Sequence, residues 1–315
     1  MTPFMRLRER IRNSIRVHEV WFARIGHGLI MLAGLVAIVQ GFPFAQGLDS
    51  GWILAALSVL GIFMPMSAIA LVWIAFLLLD LFSLSGQMAG VTAGVFLVAY
   101  AFCTVYRAKK LHNIAGFIVA RQWHVPGIIP LQTALLGTAN EIVTVICGAA
   151  VSFFLQEIHT NAGVLMEGEN QMSTIDFLRE RIISNQMFYV YLLAMCALFL
   201  ITYALRTRNM DHAWMIAVFG GVAAEFLILL SGYLLTGARR NVPMLVMGSL
   251  ATLAVGAATN YLYRDLDYTR IEKVQFEDDE YYYYVTAVPK IRLSQEKKEV
   301  KTINRVSRNR KGRSR

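Results

Sequence analysis

At 315 residues, with 56% hydrophobic and only 16% charged side chains and a mean hydropathy of +0.49, the chain is too apolar for a water-soluble globule. Its formal charge of +9 gathers at the two ends, and its three cysteines, Cys103, Cys147 and Cys196, lie in apolar runs without the close spacing that zinc or redox chemistry uses. The expectation is an all-α polytopic membrane protein with about six full spans, one or two broken or re-entrant segments, and a small β-hairpin tail.

Residues 1–24 carry six arginines against two glutamates. On a helical wheel Phe4, Leu7, Ile11, Ile15 and Phe22 form one stripe, while Arg6, Arg8, Arg10, Arg12 and Arg16 lie off it. That pattern predicts a helix lying on the membrane with its arginines toward anionic headgroups. The same charge excess places the amino terminus in the cytoplasm. No small-residue cleavage site follows the first apolar run, so the first span is expected to stay attached.

The membrane domain is expected over residues 25–263, and its first span over about Ile25 to Phe42. Residues 51–64 stop at Pro65 and resume over 66–82 with Asp80 inside. Fourteen residues reach only about 21 Å, short of the roughly 30 Å hydrocarbon core, so the segment reads as a re-entrant hairpin turning at Pro65 or an equivalent pair of short crossings.

A span over about 87–106 ends in the basic cluster "RAKKLH". Residues 113–156 cannot be one helix, because Pro126, Gly127, Pro130 and Gly137 interrupt them. A short first piece, a broken segment near 126–137 and a span over about 141–155 follow, then a polar outer loop over 157–186 with a short surface helix in "STIDFLRERI". Three more spans are expected over about 187–205, 213–236 and 242–263. Arg239 and Arg240 then fall on the outer side, against the charge rule.

Beyond Tyr263, "RIEKVQFEDDEYYYYVTAVPKIRL" alternates as strands do, with an acidic connection at Glu277 to Glu280. This reads as a cytoplasmic β-hairpin over 264–293 that docks through Tyr281, Tyr282, Tyr283 and Tyr284, on its own cytoplasmic loops or on a cytoplasmic protein. The last nineteen residues hold nine basic side chains and one acid, within a basic, disordered segment over 294–315 assigned to anionic lipid rather than nucleic acid.

The usual signatures of nucleotide hydrolysis, dinucleotide binding, zinc proteolysis and hydrolase chemistry are absent from the sequence. No enzyme activity, cofactor or metal is expected. The chemistry-bearing residues are the ionisable groups inside apolar runs, Asp80, Glu141 and Glu225, together with Asn140 at the break before a span. A carboxylate at mid-span costs several kcal/mol on most scales and tends to face a cavity or a partner. Oppositely inserted broken segments recur in transporters with a midplane site, although no sequence repeat relates the two here.

The runs "YRAKKLHNIAGFIVARQWHVPGIIPLQTALLG" and "FEDDEYYYYVTAVPK" resemble a group of multi-pass membrane proteins of Gram-positive anaerobes, some labelled permease-like. The resemblance implies a polytopic protein of the bacterial cytoplasmic membrane and carries over no catalytic or binding residue, while the basic leader and basic tail predict both termini inside. Two functional readings stay open. One is a transporter or permease-like subunit with a polar path through Asp80, Asn140, Glu141 and Glu225. The other is a membrane scaffold that recruits cytoplasmic partners through its tyrosine-rich hairpin and basic tail. Oligomers are compatible with either.

Overall fold

The computed structural model describes residues 3–45, 47–162, 179–208, 210–237, 242–263, 272–277 and 282–287. In chain order the helices are α1 (Pro3–Val17), α2 (Glu19–Gly41), α3 (Gly51–Gly61), α4 (Met66–Leu84), α5 (Gly86–Val105), α6 (His112–Gln122) and α7 (Ile128–Leu136). A 3₁₀ turn at Ala139–Glu141 leads into α8 (Ile142–Thr160), and after a π turn at Arg179–Ile183 come α9 (Gln186–Arg206), α10 (Ala213–Leu235) and α11 (Val242–Tyr263). The chain divides into two units, Met1–Arg264 and Asp265–Arg315.

Among the described residues seven helices are long and apolar enough to cross a membrane. The protein is an integral membrane protein. Leu71, Leu79, Leu97, Leu193 and Leu227 are each more than half exposed, so the perimeter that meets solvent in isolation is the surface that lipid tails cover.

Six helices are expected to be long enough to cross and seven are among the described residues, because α4, the second arm of the expected hairpin, is itself 19 residues and about 28 Å long. The reason is the position of Pro65. It is the residue before the helix, in extended backbone, so it opens α4 instead of breaking it, and nothing stops the helix before Leu84. Likewise α8 runs on past Leu155 to Thr160, because Ile158 is still fully buried. The surface helix expected in "STIDFLRERI" falls mostly on residues outside those described, as do Arg239 and Arg240.

The course of the chain through the bundle follows from close approaches. Helix α3 returns along α2, bringing Gly61 against Met31 and Ile62 against Gly28. Helix α4 then runs back, with Trp73 packed on Gly34 and its indole N–H donating to the Met31 carbonyl at 3.3 Å. Near its end Asp80 accepts from the amides of Phe44 and Ala45, just beyond α2. Both ends of the α3–α4 pair therefore lie at the face where α2 ends. From Gly28 to Gly41 is about 20 Å of helix, which is how far this hairpin reaches.

Helix α5 crosses to the other face. There the amides of Lys109 and Lys110 bond Glu141, the residue that opens α8. Between these two points α6 and α7 form a second hairpin. Helix α6 runs parallel to α8, with Phe117 on Gly148 and Arg121 over Phe153, and α7 returns to Gly137 beside Lys110 and Glu141. Twelve residues of α8 separate Glu141 from Phe153, so the second hairpin penetrates about 18 Å from the face opposite to the first.

Helix α8 ends with His159 against Phe42. Helices α9, α10 and α11 then alternate, with α9 ending where Arg206 meets Leu135 and Gly137. The end of α11 lies where the Arg8 guanidinium of α1 covers the Tyr261 ring. The start of the chain and the end of the bundle thus share one face. On α1 the side chains of Leu7, Ile11 and Ile15 are exposed, an apolar stripe that no other helix covers.

In the second unit Glu272–Glu277 (β1) and Tyr282–Ala287 (β2) pair antiparallel, with Val274 opposite Val285, Phe276 opposite Tyr283 and Glu277 opposite Tyr282. Tyr281, the acidic residues 278–280 and the basic segment 294–315 lie outside the described residues, as does the docking expected of the tyrosines.

Candidate functional site at the tip of the second hairpin

Carboxylates in hydrocarbon are tolerated when something satisfies them. The three picked out by the sequence are all buried, at 3% exposure for Asp80, 2% for Glu141 and 3% for Glu225. The fold does not bring them together. Asp80 lies at the face where α2 ends, Glu141 at the opposite face, and Glu225 between them.

Two of the three close loops. Oδ1 of Asp80 accepts from Phe44 N at 3.2 Å and Ala45 N at 2.6 Å. Glu141 uses both oxygens, accepting from Lys109 N at 3.0 Å and Lys110 N at 3.1 Å. Each carboxylate thereby satisfies two backbone donors at the base of a hairpin, where an unpaired buried N–H would cost roughly 1 to 3 kcal/mol. Lys110 is held beside Glu141 with its pKa lowered, chiefly by burial and further by Arg206, against the opposing pull of Glu141. Asn140 is exposed in the 3₁₀ turn before α8.

The second hairpin is fastened by polar contacts throughout. The Asn113 amide donates to Thr133 at 2.9 Å and to Thr144 at 3.3 Å, which ties α6, α7 and α8 together. Gln132 donates to Thr259 of α11 at 2.7 Å. Arg206 of α9 donates to the Leu135 carbonyl at 2.7 Å and the Gly137 carbonyl at 3.1 Å, satisfying the free carboxyl end of α7 with a cation where the helix dipole favours one.

At the tip of this hairpin the chain turns through His124, which takes a left-handed conformation with φ +59° after α6. Val125 N then bonds the Ala120 carbonyl, ending α6 in the manner of a Schellman turn. Gly127 immediately precedes α7, and the Glu225 carboxylate lies directly against it, so that a Cβ at this position would overlap the carboxylate oxygens. Glu225 is near the middle of the 23-residue α10. Its Oε2 has no hydrogen-bond partner among the described residues.

Near this carboxyl stands Tyr233, and beyond it Arg121 and Tyr191. The Arg121 guanidinium covers the Tyr191 ring at 4.2 Å and the Phe153 ring at 5.0 Å. Tyr191 and Ser152 hydroxyls are 3.4 Å apart. Tyr233 is within electrostatic reach of Arg121, Tyr191 and Glu225 together. The arrangement can hold and exchange a small positive charge: one unpaired carboxyl at a helix amino end, with a guanidinium parked on aromatic faces nearby.

Reading the sequence alone misses Arg121, Gly127, Tyr191 and Tyr233 at the tip, and Arg206 at the base of the same hairpin. One signal was available, since Arg121 is a lone cation closing the apolar piece "NIAGFIVA" directly before a proline and glycine break. Among the described residues no group of three or more His, Cys, Asp or Glu side chains is placed to hold a metal ion. No protein-family model matches this chain, and neither a curated protein nor a solved structure matches it.

Proposed function

We propose that the protein is a transporter or permease-like subunit of a bacterial cytoplasmic membrane, with both chain ends in the cytoplasm. The observation that carries the reading is the pair of helical hairpins inserted from opposite faces, each reaching about 18 to 20 Å, with the buried Glu225 beside the tip of the second. Such hairpins leave helix ends at membrane depth, where solutes and ions are bound in transporters and where a purely structural bundle gains nothing from interruptions. The orientation is supported by Lys109, Lys110 and Arg206, basic residues gathered at the face shared by Arg8 and Tyr261. The exposed stripe of α1 fits a surface of anionic headgroups.

Val222, buried one turn before Glu225 on the same side of α10, is the place to test this. In a background with Cys103, Cys147 and Cys196 replaced by alanine, Val222→Cys is probed with a membrane-impermeant maleimide in right-side-out and inverted vesicles. Transport expects water to reach Val222, hence labelling from at least one face, with the favoured face changing when pH or membrane potential is reversed. A scaffold that recruits partners through Tyr281 to Tyr284 and the basic tail expects a dry bundle. No labelling in either orientation under any condition sinks the transport reading.

A further inference from the structure

We infer that Glu225 is a proton-exchanging carboxyl, and that the ion bound at the tip of the second hairpin is the proton. The inference rests on the transport reading and deepens it by naming the coupling ion.

Four observations converge on it. Glu225 is 3% exposed, its Oε2 is unserved among the described residues and no backbone N–H is given to it, whereas Asp80, whose Oδ2 is likewise unserved, takes two backbone N–H groups on Oδ1 and Glu141 takes two. Helices α7 and α11, which pack against α10, contain no Asp, Glu, Lys, Arg or His, so neither supplies a permanent counter-ion. Helix α10 itself contributes Tyr233, a phenol within electrostatic reach of Glu225. Arg121 of α6 is stacked on Tyr191 and Phe153 and lies within electrostatic reach of Tyr233 rather than of Glu225.

A carboxyl so placed is at rest as the neutral acid, holding its proton on an oxygen that no protein donor serves. The fixed positive end of α7 at Gly127 is what would stabilise the anion when water reaches it. The O–H bond of the Glu225 carboxyl then breaks heterolytically. The electron pair stays on the carboxylate and the proton passes to water on whichever face is open. A metal cation would need several further oxygen ligands, and no cluster of three or more acidic, histidine or cysteine side chains is placed for one among the described residues.

The test is modification by a hydrophobic carbodiimide, which attacks protonated carboxyls in apolar surroundings, on the full chain in proteoliposomes with the modified residue read by peptide mass spectrometry. Glu225 is expected to be labelled at low pH, with labelling falling about tenfold for each pH unit above its titration point, while Asp80 and Glu141 stay unlabelled. Glu225→Gln keeps the shape and removes the label. Absence of label at Glu225 between pH 5 and 9 in protein that elutes as a single folded species overturns the proposal. So does labelling that ignores pH, and so does protection by sodium at fixed pH, which would make this a metal-cation site. Because the reagent arrives through lipid, a pH-dependent label with an unreachable Val222→Cys would leave the proton site standing and remove the transport reading.

Discussion

Hairpin α3–α4 hangs from the face where α2 ends and hairpin α6–α7 rises from the other. Each is closed at its base by one buried carboxylate that takes two successive loop amides. Beyond that shared clasp they are filled differently. From Gly51 to Leu79 the first has no charged side chain, and it packs mainly by shape, Trp73 on Gly34 and Ile62 on Gly28. The second holds Asn113, Arg121, Gln132 and Thr133, is pinned to three neighbouring helices by side-chain hydrogen bonds, and ends at Glu225. Inserting a broken segment into hydrocarbon therefore requires only that its base be sealed. The additional polarity of the second hairpin is surplus to that requirement, which is why the functional reading settles there.

The comparison can be broken most sharply at the clasps. Glu141→Ala leaves the Lys109 and Lys110 amides unpaired and should destabilise the bundle by about 3 to 5 kcal/mol, since each bond goes to a charged acceptor. Asp80→Ala, where one oxygen serves both amides, should cost about 1 to 3 kcal/mol. Unfolding free energies in mixed micelles would decide it, and equal losses would remove the asymmetry. A middle-sized effect is expected at Gly248, which faces the backbone carbonyl of His124, an atom that cannot rotate aside. Gly248→Ala should push α11 off the second tip at a cost of about 1 to 3 kcal/mol, seen as a lower Tm, while Gly90→Ala on α5, where a Cβ meets nothing, should be neutral or better. The smallest effect is a gain: His124→Gly relieves the left-handed backbone and should stabilise by about 1 kcal/mol. A loss there would mean that the imidazole itself holds the tip.

Much of this architecture can be read from residues 51–65 and 113–137, because prolines, glycines and run lengths are local properties. The turn at Pro65 and the breaks at Pro126–Gly127 and Gly137 fall where the sequence places them, and so, within two residues, does α4, expected over 66–82 and found over Met66–Leu84. Pro130, by contrast, lies inside α7 and interrupts nothing. The site was legible only in outline. Asp80, Glu141 and Glu225 look alike as acids in apolar text, yet the donors that distinguish them come from residues 31 to 36 positions away for the first two and are missing for Oε2 of the third. Arg121 was equally hard to place, because its partners Phe153 and Tyr191 belong to two other helices.

The bonds from Arg206 set a schedule for biosynthesis. The Leu135 and Gly137 carbonyls that they satisfy precede Arg206 by 71 and 69 residues. At a synthesis rate of about 5 to 20 residues per second, the carboxyl end of α7 is made roughly 4 to 14 seconds before its partner exists. Until α9 arrives, those carbonyls must be served by water or by the insertion machinery, so the second hairpin is expected to dwell at the membrane edge and to swing inward only when the later helices close over it.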